Sequence, residues 1–138
     1  MAYAGDLRPT EAWKILRSES AAQLIDVRTQ PEWSFVGVPD LHSIGKQAAR
    51  LSWQVYPAMQ VNSGFVDAVV KLAPQPDTPL LFICRSGARS AAAAAALAAH
   101  GYKRCYNVAE GFEGPHDGDG HRGRAGGWKA AGLPWTQD

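Results

Sequence analysis

Cys84 is followed by Arg85, Ser86, Gly87, Ala88, Arg89 and Ser90, and this is the stretch whose residue types and spacing can carry chemistry. A thiol is a weak nucleophile until it loses its proton, which for free cysteine happens only around pH ~8.5. Backbone N–H groups converging on the sulfur, a helix N-terminus and two guanidinium groups would all favour the thiolate. The same surroundings would stabilise any anion built on that sulfur, a terminal persulfide included. Gly87 lets the backbone curl so that its N–H groups point inward. Arg85 and Arg89 offer planar forks that match sulfonate-like or phosphate oxygens, and the hydroxyls of Ser86 and Ser90 add donors. A strand-ending cysteine alone reads more plainly as a buried structural residue; the six residues that follow it argue for a functional thiol.

Such a loop needs a strand before it and a helix after it. Leu80 to Ile83 is a short apolar run bounded by a Pro74-Gln75-Pro76-Asp77 turn and reads as a buried strand. Ala91 to Ala99 reads as a helix, because alanine is the best helix former and its small side chain lets a helix lie close on a sheet. Gly101 is placed as its left-handed C-terminal residue. Upstream, residues 1–9 read as a loose lead-in, and Thr10 as the N-cap of a helix reaching about Glu19. Gln23 to Val27 reads as a strand, Pro31, Glu32 and Trp33 as a brief helix, and residues 36–48 as loop. Leu51 to Tyr56 alternates and reads as another strand. Asn62 and Ser63 are candidate caps for a helix with Phe65, Val66, Val69, Val70 and Leu72 on its apolar face. Arg104 to Val108 is one more expected strand, and residues 128–134 a short helix with a glycine stop. Strands separated by helices predict an α/β fold, a mainly parallel central sheet of about five strands with helices on both faces. Ligands of such sheets sit outside the carboxyl ends of the strands, where Cys84 stands.

The chain has 138 residues, 46% hydrophobic and 20% charged, with a formal net charge of +1. That is the size of one domain, expected to span residues 1–138 with its core at about 10–135. The charge balance gives no clustered basic footprint for nucleic acid, and no polybasic run or long apolar segment points to a membrane. Met1 to Leu7 lacks the pattern of a signal peptide, so the expected location is cytoplasmic. The two cysteines cannot form a disulfide framework. If the strands carrying Cys84 and Cys105 are parallel neighbours, the two lie about four residues out of step, roughly 13 Å at ~3.3 Å per residue. A disulfide needs Cα atoms within ~7 Å, so Cys105 reads as a small core residue. His116, Asp117, Asp119 and His121 gather in a glycine-rich segment, but their spacing fits no strong zinc motif. No metal and no cofactor is expected.

The run Cys84-Arg85-Ser86-Gly87-Ala88-Arg89-Ser90 resembles the active-site loop of the rhodanese domain. Leu24 to Arg28 with Pro31-Glu32-Trp33 resembles that family's Asp-Val-Arg segment. Gly101-Tyr102, Tyr106-Asn107-Val108, Gly111-Phe112, Gly127-Trp128 and residues 131–134 resemble its C-terminal signature. The resemblance implies a rhodanese-like fold and a sulfurtransferase. Cys84 would accept a sulfane sulfur as a persulfide, the amides of residues 85–90 would cradle it, and Arg85 and Arg89 would stand where substrate anions bind. The implied donor is a small sulfur-containing anion such as thiosulfate, and the acceptor is a thiol, cyanide or a protein. Asp26 and Arg28 match a segment that is architectural in the family. Two departures bear on partner and acceptor choice. Residues 37–43 replace the usual Gly-His-Ile-Pro-Gly-Ala run, and the stretch between Phe112 and Trp128 is longer than in compact members.

Two other functions share these residues. Phosphatases of the same fold have five residues between cysteine and arginine, where this chain has four, which makes a smaller cradle fitted to sulfur. A persulfide carrier or interaction module serving a protein partner would need the same Cys84 and the same cradle. Turnover of thiosulfate and cyanide separates that carrier from an enzyme.

Overall fold

The computed structural model describes residues 2–137. The first elements are β1 (Gly5–Leu7), α1 (Pro9–Ser18), β2 (Gln23–Asp26), α2 (Gln30–Val36) and β3 (Val38–Pro39). A single turn of 3-10 helix at His42–Ile44 leads to β4 (Ala49–Arg50), β5 (Gln54–Val55), β6 (Gln60–Val61) and α3 (Phe65–Leu72). The chain ends with β7 (Leu80–Ile83), α4 (Ala88–Ala99), β8 (Cys105–Val108), α5 (Gly127–Ala130) and β9 (Trp135–Thr136). Five strands form the central sheet in the order β1-β8-β7-β2-β4, every pair parallel. The expected α/β fold with about five strands is thus the observed one.

The sheet's two faces follow from the alternation of side chains along its strands. Leu80, Phe82 and Cys84 look to one side, where they pack with Phe65 and Val69 of α3 and Ala93, Ala94 and Leu97 of α4. Leu81 and Ile83 look to the other, against Ala12 and Leu16 of α1 and Trp128 of α5. With helices on both faces, all four residues of β7 are fully buried, which is why the strand reads as an unbroken apolar run. Residue volume also fits the alanine run, since α4 presents only Ser90, Ala93, Ala94 and Leu97 as buried positions.

Several boundaries differ from the expectation. Residues 1–9 are not a loose lead-in, because Gly5–Leu7 pairs with Tyr106–Val108 as an edge strand of the sheet. Helix α1 starts at Pro9 with Arg8 as N-cap, and Thr10 lies inside the first turn. Leu51–Tyr56 is not one strand. Leu51 and Trp53 donate N–H bonds to the carbonyls of Asp26 and Val27 as an extended tail beside β2, and Gln54–Val55 turns away into a hairpin with Gln60–Val61. Within residues 36–48, Val38–Pro39 pairs antiparallel with Trp135–Thr136. Gly64, not Asn62 or Ser63, caps α3, while the Asn62 carboxamide oxygen accepts the Gly64 N–H. Helix α4 begins at Ala88, three residues before the alanine run, so Ala88, Arg89 and Ser90 belong to its first turn. Gly101 does take a positive φ, +104°. Among the described residues, no helix is long and apolar enough to cross a membrane.

Candidate active site

Cys84 directly follows β7, and its side chain faces the α3–α4 layer, 1% exposed. The Gly87 N–H donates to Cys84 Sγ at 3.1 Å, and Ser90 Oγ lies 3.2 Å from the same sulfur. Ala88, Arg89 and Ser90 form the first turn of α4, whose leading N–H groups have no carbonyl of a preceding turn to bond and leave partial positive charge at that end. The sulfur therefore sits where an anion is favoured.

What turns the loop this way is a set of carbonyl bonds on its outer side. Phe112 N–H donates to the Cys84 carbonyl at 2.8 Å, and the N–H groups of Glu113 and Gly114 donate to the Arg85 carbonyl at 3.0 and 3.1 Å. Two glycines make the approach possible. A Cβ on Gly87, at φ +115°, would lie 2.2 Å from the Ala109 carbonyl oxygen; one on Gly111, at φ +66°, would lie 2.5 Å from the Arg85 carbonyl oxygen. The segment after β8, a polar glycine-rich stretch in the sequence, is thus the outer brace of the cysteine loop.

The two arginines of the loop have different surroundings. Arg85 is exposed, as are Ser86 and Ala88. Arg89 is half-buried and makes two bonds to Glu32 of α2, Nη1–Oε1 at 2.7 Å and Nη2–Oε2 at 2.9 Å. Glu32 also accepts from the Thr29 hydroxyl at 3.0 Å, which fixes it at the start of α2. Burial alone would raise the Glu32 carboxyl, but the bonds and charge of Arg89, helped by Thr29, hold it below the usual range. Arg89 is in turn held more firmly protonated, chiefly by its bonds to Glu32.

Asp26 and Arg28 are fully buried and bond each other, Arg28 Nη2–Oδ2 at 2.6 Å and Nε–Oδ1 at 2.9 Å. Arg28 Nη2 also reaches the Gly37 carbonyl at 2.8 Å, and its guanidinium lies over the Phe112 ring, 4.4 Å from the centroid. This pair joins the end of β2 to the segment that braces the cysteine loop. Cys105 is the register partner of Leu80, four residues from Cys84 along neighbouring parallel strands, and burial pushes its thiol up to about 12. His116 and His121 lie in exposed turns where Asp117 Oδ1 accepts the N–H groups of Asp119 and His121.

The structure gathers Cys84, Gly87 and Ser90 around one sulfur, with Arg85, Ser86, Ala88 and Arg89 in the surrounding loop and first helical turn. Sequence reasoning missed Glu32 as the partner of Arg89. It also missed Asn107, whose Oδ1 takes a 2.5 Å bond from Ser90 Oγ, and Asp6, which accepts from Asn107 Nδ2 at 3.0 Å. A polar residue at an inward-facing position of a buried strand, as Asn107 is, was the one available signal.

A family model described as the STR4 middle domain matches residues 5–138. The chain is 39% identical over 127 residues to the uncharacterized protein RP600 of Rickettsia prowazekii, covering 91% of this chain and 92% of that protein. It is 30% identical over 129 residues to the thiosulfate sulfurtransferase GlpE of Actinobacillus succinogenes, covering 94% and 87%. A thylakoid rhodanese-like protein of Oryza sativa is 27% identical over 132 residues, 96% of this chain but only 25% of that longer protein. Among solved structures, Rv0390 of M. tuberculosis superposes with a TM-score of 0.87 at 43% identity, covering 99% of both chains. A polysulfide-sulfur transferase homodimer of Wolinella succinogenes gives a TM-score of 0.66 at 26% identity, covering 96% of this chain and 78% of that one.

Proposed function

The chain belongs to the rhodanese-like sulfurtransferase family, and from that premise we propose that it moves a sulfane sulfur from a small anionic donor such as thiosulfate to a thiophilic acceptor through a persulfide on Cys84. The observation that carries this reading is the environment of one atom. Cys84 Sγ lies at the carboxyl end of a central strand, faces the N-terminus of α4, and receives the Gly87 N–H at 3.1 Å.

In the first half-reaction the Cys84 thiolate attacks the outer sulfur of thiosulfate. A new S–S bond forms, the bond to the sulfonate sulfur breaks, and sulfite leaves with the electron pair. The charge of the attacking thiolate reappears on the terminal sulfur of the persulfide, so the cradle that favours the first anion also holds the second. In the second half-reaction an acceptor such as cyanide attacks the terminal sulfur, thiocyanate departs, and the thiolate returns. Arg85, exposed at the rim, is the guanidinium free to meet the sulfonate oxygens of the donor. Arg89 adds its charge from within the Glu32 pair and fixes the first turn of α4 against α2.

Intact-mass measurement after thiosulfate treatment tests this. The expected result is a gain of one sulfur atom that cyanide removes and that Cys84→Ser abolishes. A sulfur gained equally by Cys84→Ser would overturn it. Turnover of thiosulfate with cyanide by the wild type then separates an enzyme from a carrier loaded only by a protein donor.

A further inference from the structure

The Ser90 hydroxyl has one proton and three acceptors within reach. Cys84 Sγ and the Gly87 carbonyl oxygen are each 3.2 Å away, whereas Asn107 Oδ1 is at 2.5 Å. The short bond claims the proton. Asn107 presents its carbonyl because its amide nitrogen is committed elsewhere, donating to Asp6 Oδ1 at 3.0 Å. An ionised carboxylate only accepts, so turning the Asn107 amide round would bring two acceptors together. Asp6 also accepts from the Tyr3 hydroxyl at 2.7 Å, a bond that helps raise the phenol above its ordinary range. The row follows from strand register. Phe82 of β7 pairs with Asn107 of β8, and Asn107 pairs with Asp6 of β1, all toward the carboxyl end of the sheet.

We propose that Asn107, held by Asp6, is a positioning residue that governs whether the Ser90 hydroxyl serves the Cys84 sulfur. With a neutral thiol, the Ser90 proton points to Asn107 and its oxygen is left to accept the S–H. With an anionic sulfur, thiolate or terminal persulfide, the hydroxyl turns to donate to sulfur and gives up the bond to Asn107. Only hydrogen bonds exchange. Asn107 thereby offsets part of what Ser90 gives the anion. The persulfide half of this statement rests on the sulfur-transfer reading above; the thiol half does not.

The test is a double-mutant cycle on Ser90 and Asn107, read by iodoacetamide alkylation of Cys84 at fixed pH. Asn107→Leu leaves the Ser90 proton free for sulfur. Read at a pH chosen so that the thiol is still mostly protonated, one hydrogen bond gained by the anion should raise the thiolate fraction about tenfold, and the lower nucleophilicity of a better stabilised thiolate leaves alkylation about threefold faster. In the Ser90→Ala background the same substitution should change nothing. Asp6→Ala, at an exposed position, frees the Asn107 amide to turn its nitrogen to Ser90 and should act in the same direction; it decides the matter if Asn107→Leu does not fold. Alkylation within experimental error of wild type in the folded variants, or an equal effect without Ser90, overturns the proposal. A protein that never takes up sulfur sinks the sulfur-transfer reading and leaves the alkylation result standing.

Discussion

Gly111→Ala, set against Gly132→Ala, measures what holds the cysteine loop in place. Both glycines have positive φ, +66° and +75°, so each substitution carries the left-handed penalty of about 1–2 kcal/mol. They differ in what a methyl group meets. At Gly132 nothing lies within 4 Å, whereas at Gly111 the Cβ would sit 2.5 Å from the Arg85 carbonyl oxygen, 2.6 Å from its carbon and 2.7 Å from the Cys84 carbonyl oxygen. All three are backbone atoms that cannot swing aside. Restoring an ordinary contact of about 3.5 Å moves the loop by about an ångström. That motion pulls the Cys84 and Arg85 carbonyls off the N–H groups of Phe112, Glu113 and Gly114. Two or three bonds lost at about 1 kcal/mol each put the total for Gly111→Ala near 3–5 kcal/mol. Displacing the cradle by that distance should also lower sulfur transfer by about a hundredfold. Urea unfolding and the thiosulfate–cyanide assay read the two effects, and Gly132→Ala should keep its activity. Equal stability and equal activity in the two variants would refute the bracing role of the 111–114 segment.

Three further outcomes follow from the surroundings of named groups. Because Arg89 holds the Glu32 carboxyl below its unfolded value of about 4.3, the pair's stabilisation is present above that pH and is lost as pH falls through the folded-state value. The gap in urea midpoint between wild type and Glu32→Gln should therefore be steady near neutrality and close in acid; a gap that widens on acidification contradicts the pairing. Burial pushes the Cys105 thiol up to about 12, so native protein at pH 8 should take one alkyl group at Cys84 and a second only after unfolding; rapid double labelling of native protein would count against a core Cys105. Asp26→Ala strands the fully buried Arg28 guanidinium and should cost about 3–5 kcal/mol in urea unfolding. Arg28→Met in the same chain should restore part of it, and an Asp26→Ala variant as stable as wild type would show the pair to be dispensable.

The fold was legible wherever a residue's burial is decided by its own stretch of chain. Leu80 to Ile83 is apolar throughout because both faces are covered, and Arg104 to Val108 stands out from its polar flanks. The cysteine loop is legible because each of its residues answers a local demand. Gly5-Asp6-Leu7 is not. Three residues are too few to show alternation, and the strand exists because β8 offers its free edge. Leu51 to Tyr56 misleads for the opposite reason. Its alternation is real, with Leu51 and Trp53 packed against the core, but the chain runs beside β2 for only a few bonds before turning into a hairpin.

The candidate site was half legible for a related reason. Its residues that touch sulfur, Cys84, Gly87 and Ser90, lie within seven consecutive positions, and strand-turn-helix geometry alone converges them. The residues that control those three do not. Glu32 reaches Arg89 because α2 follows β2, the strand beside β7. Asn107 reaches Ser90 because β8 lies on the other side of β7, and Asp6 reaches Asn107 because β1 pairs with β8 in one particular register. Slipping β1 by one residue would turn Asp6 to the opposite face and release the Asn107 amide. The direction of one hydroxyl proton beside the sulfur is therefore fixed by an edge strand more than seventy-five residues away in sequence (Asp6 to Cys84), and only strand order and register disclose that connection.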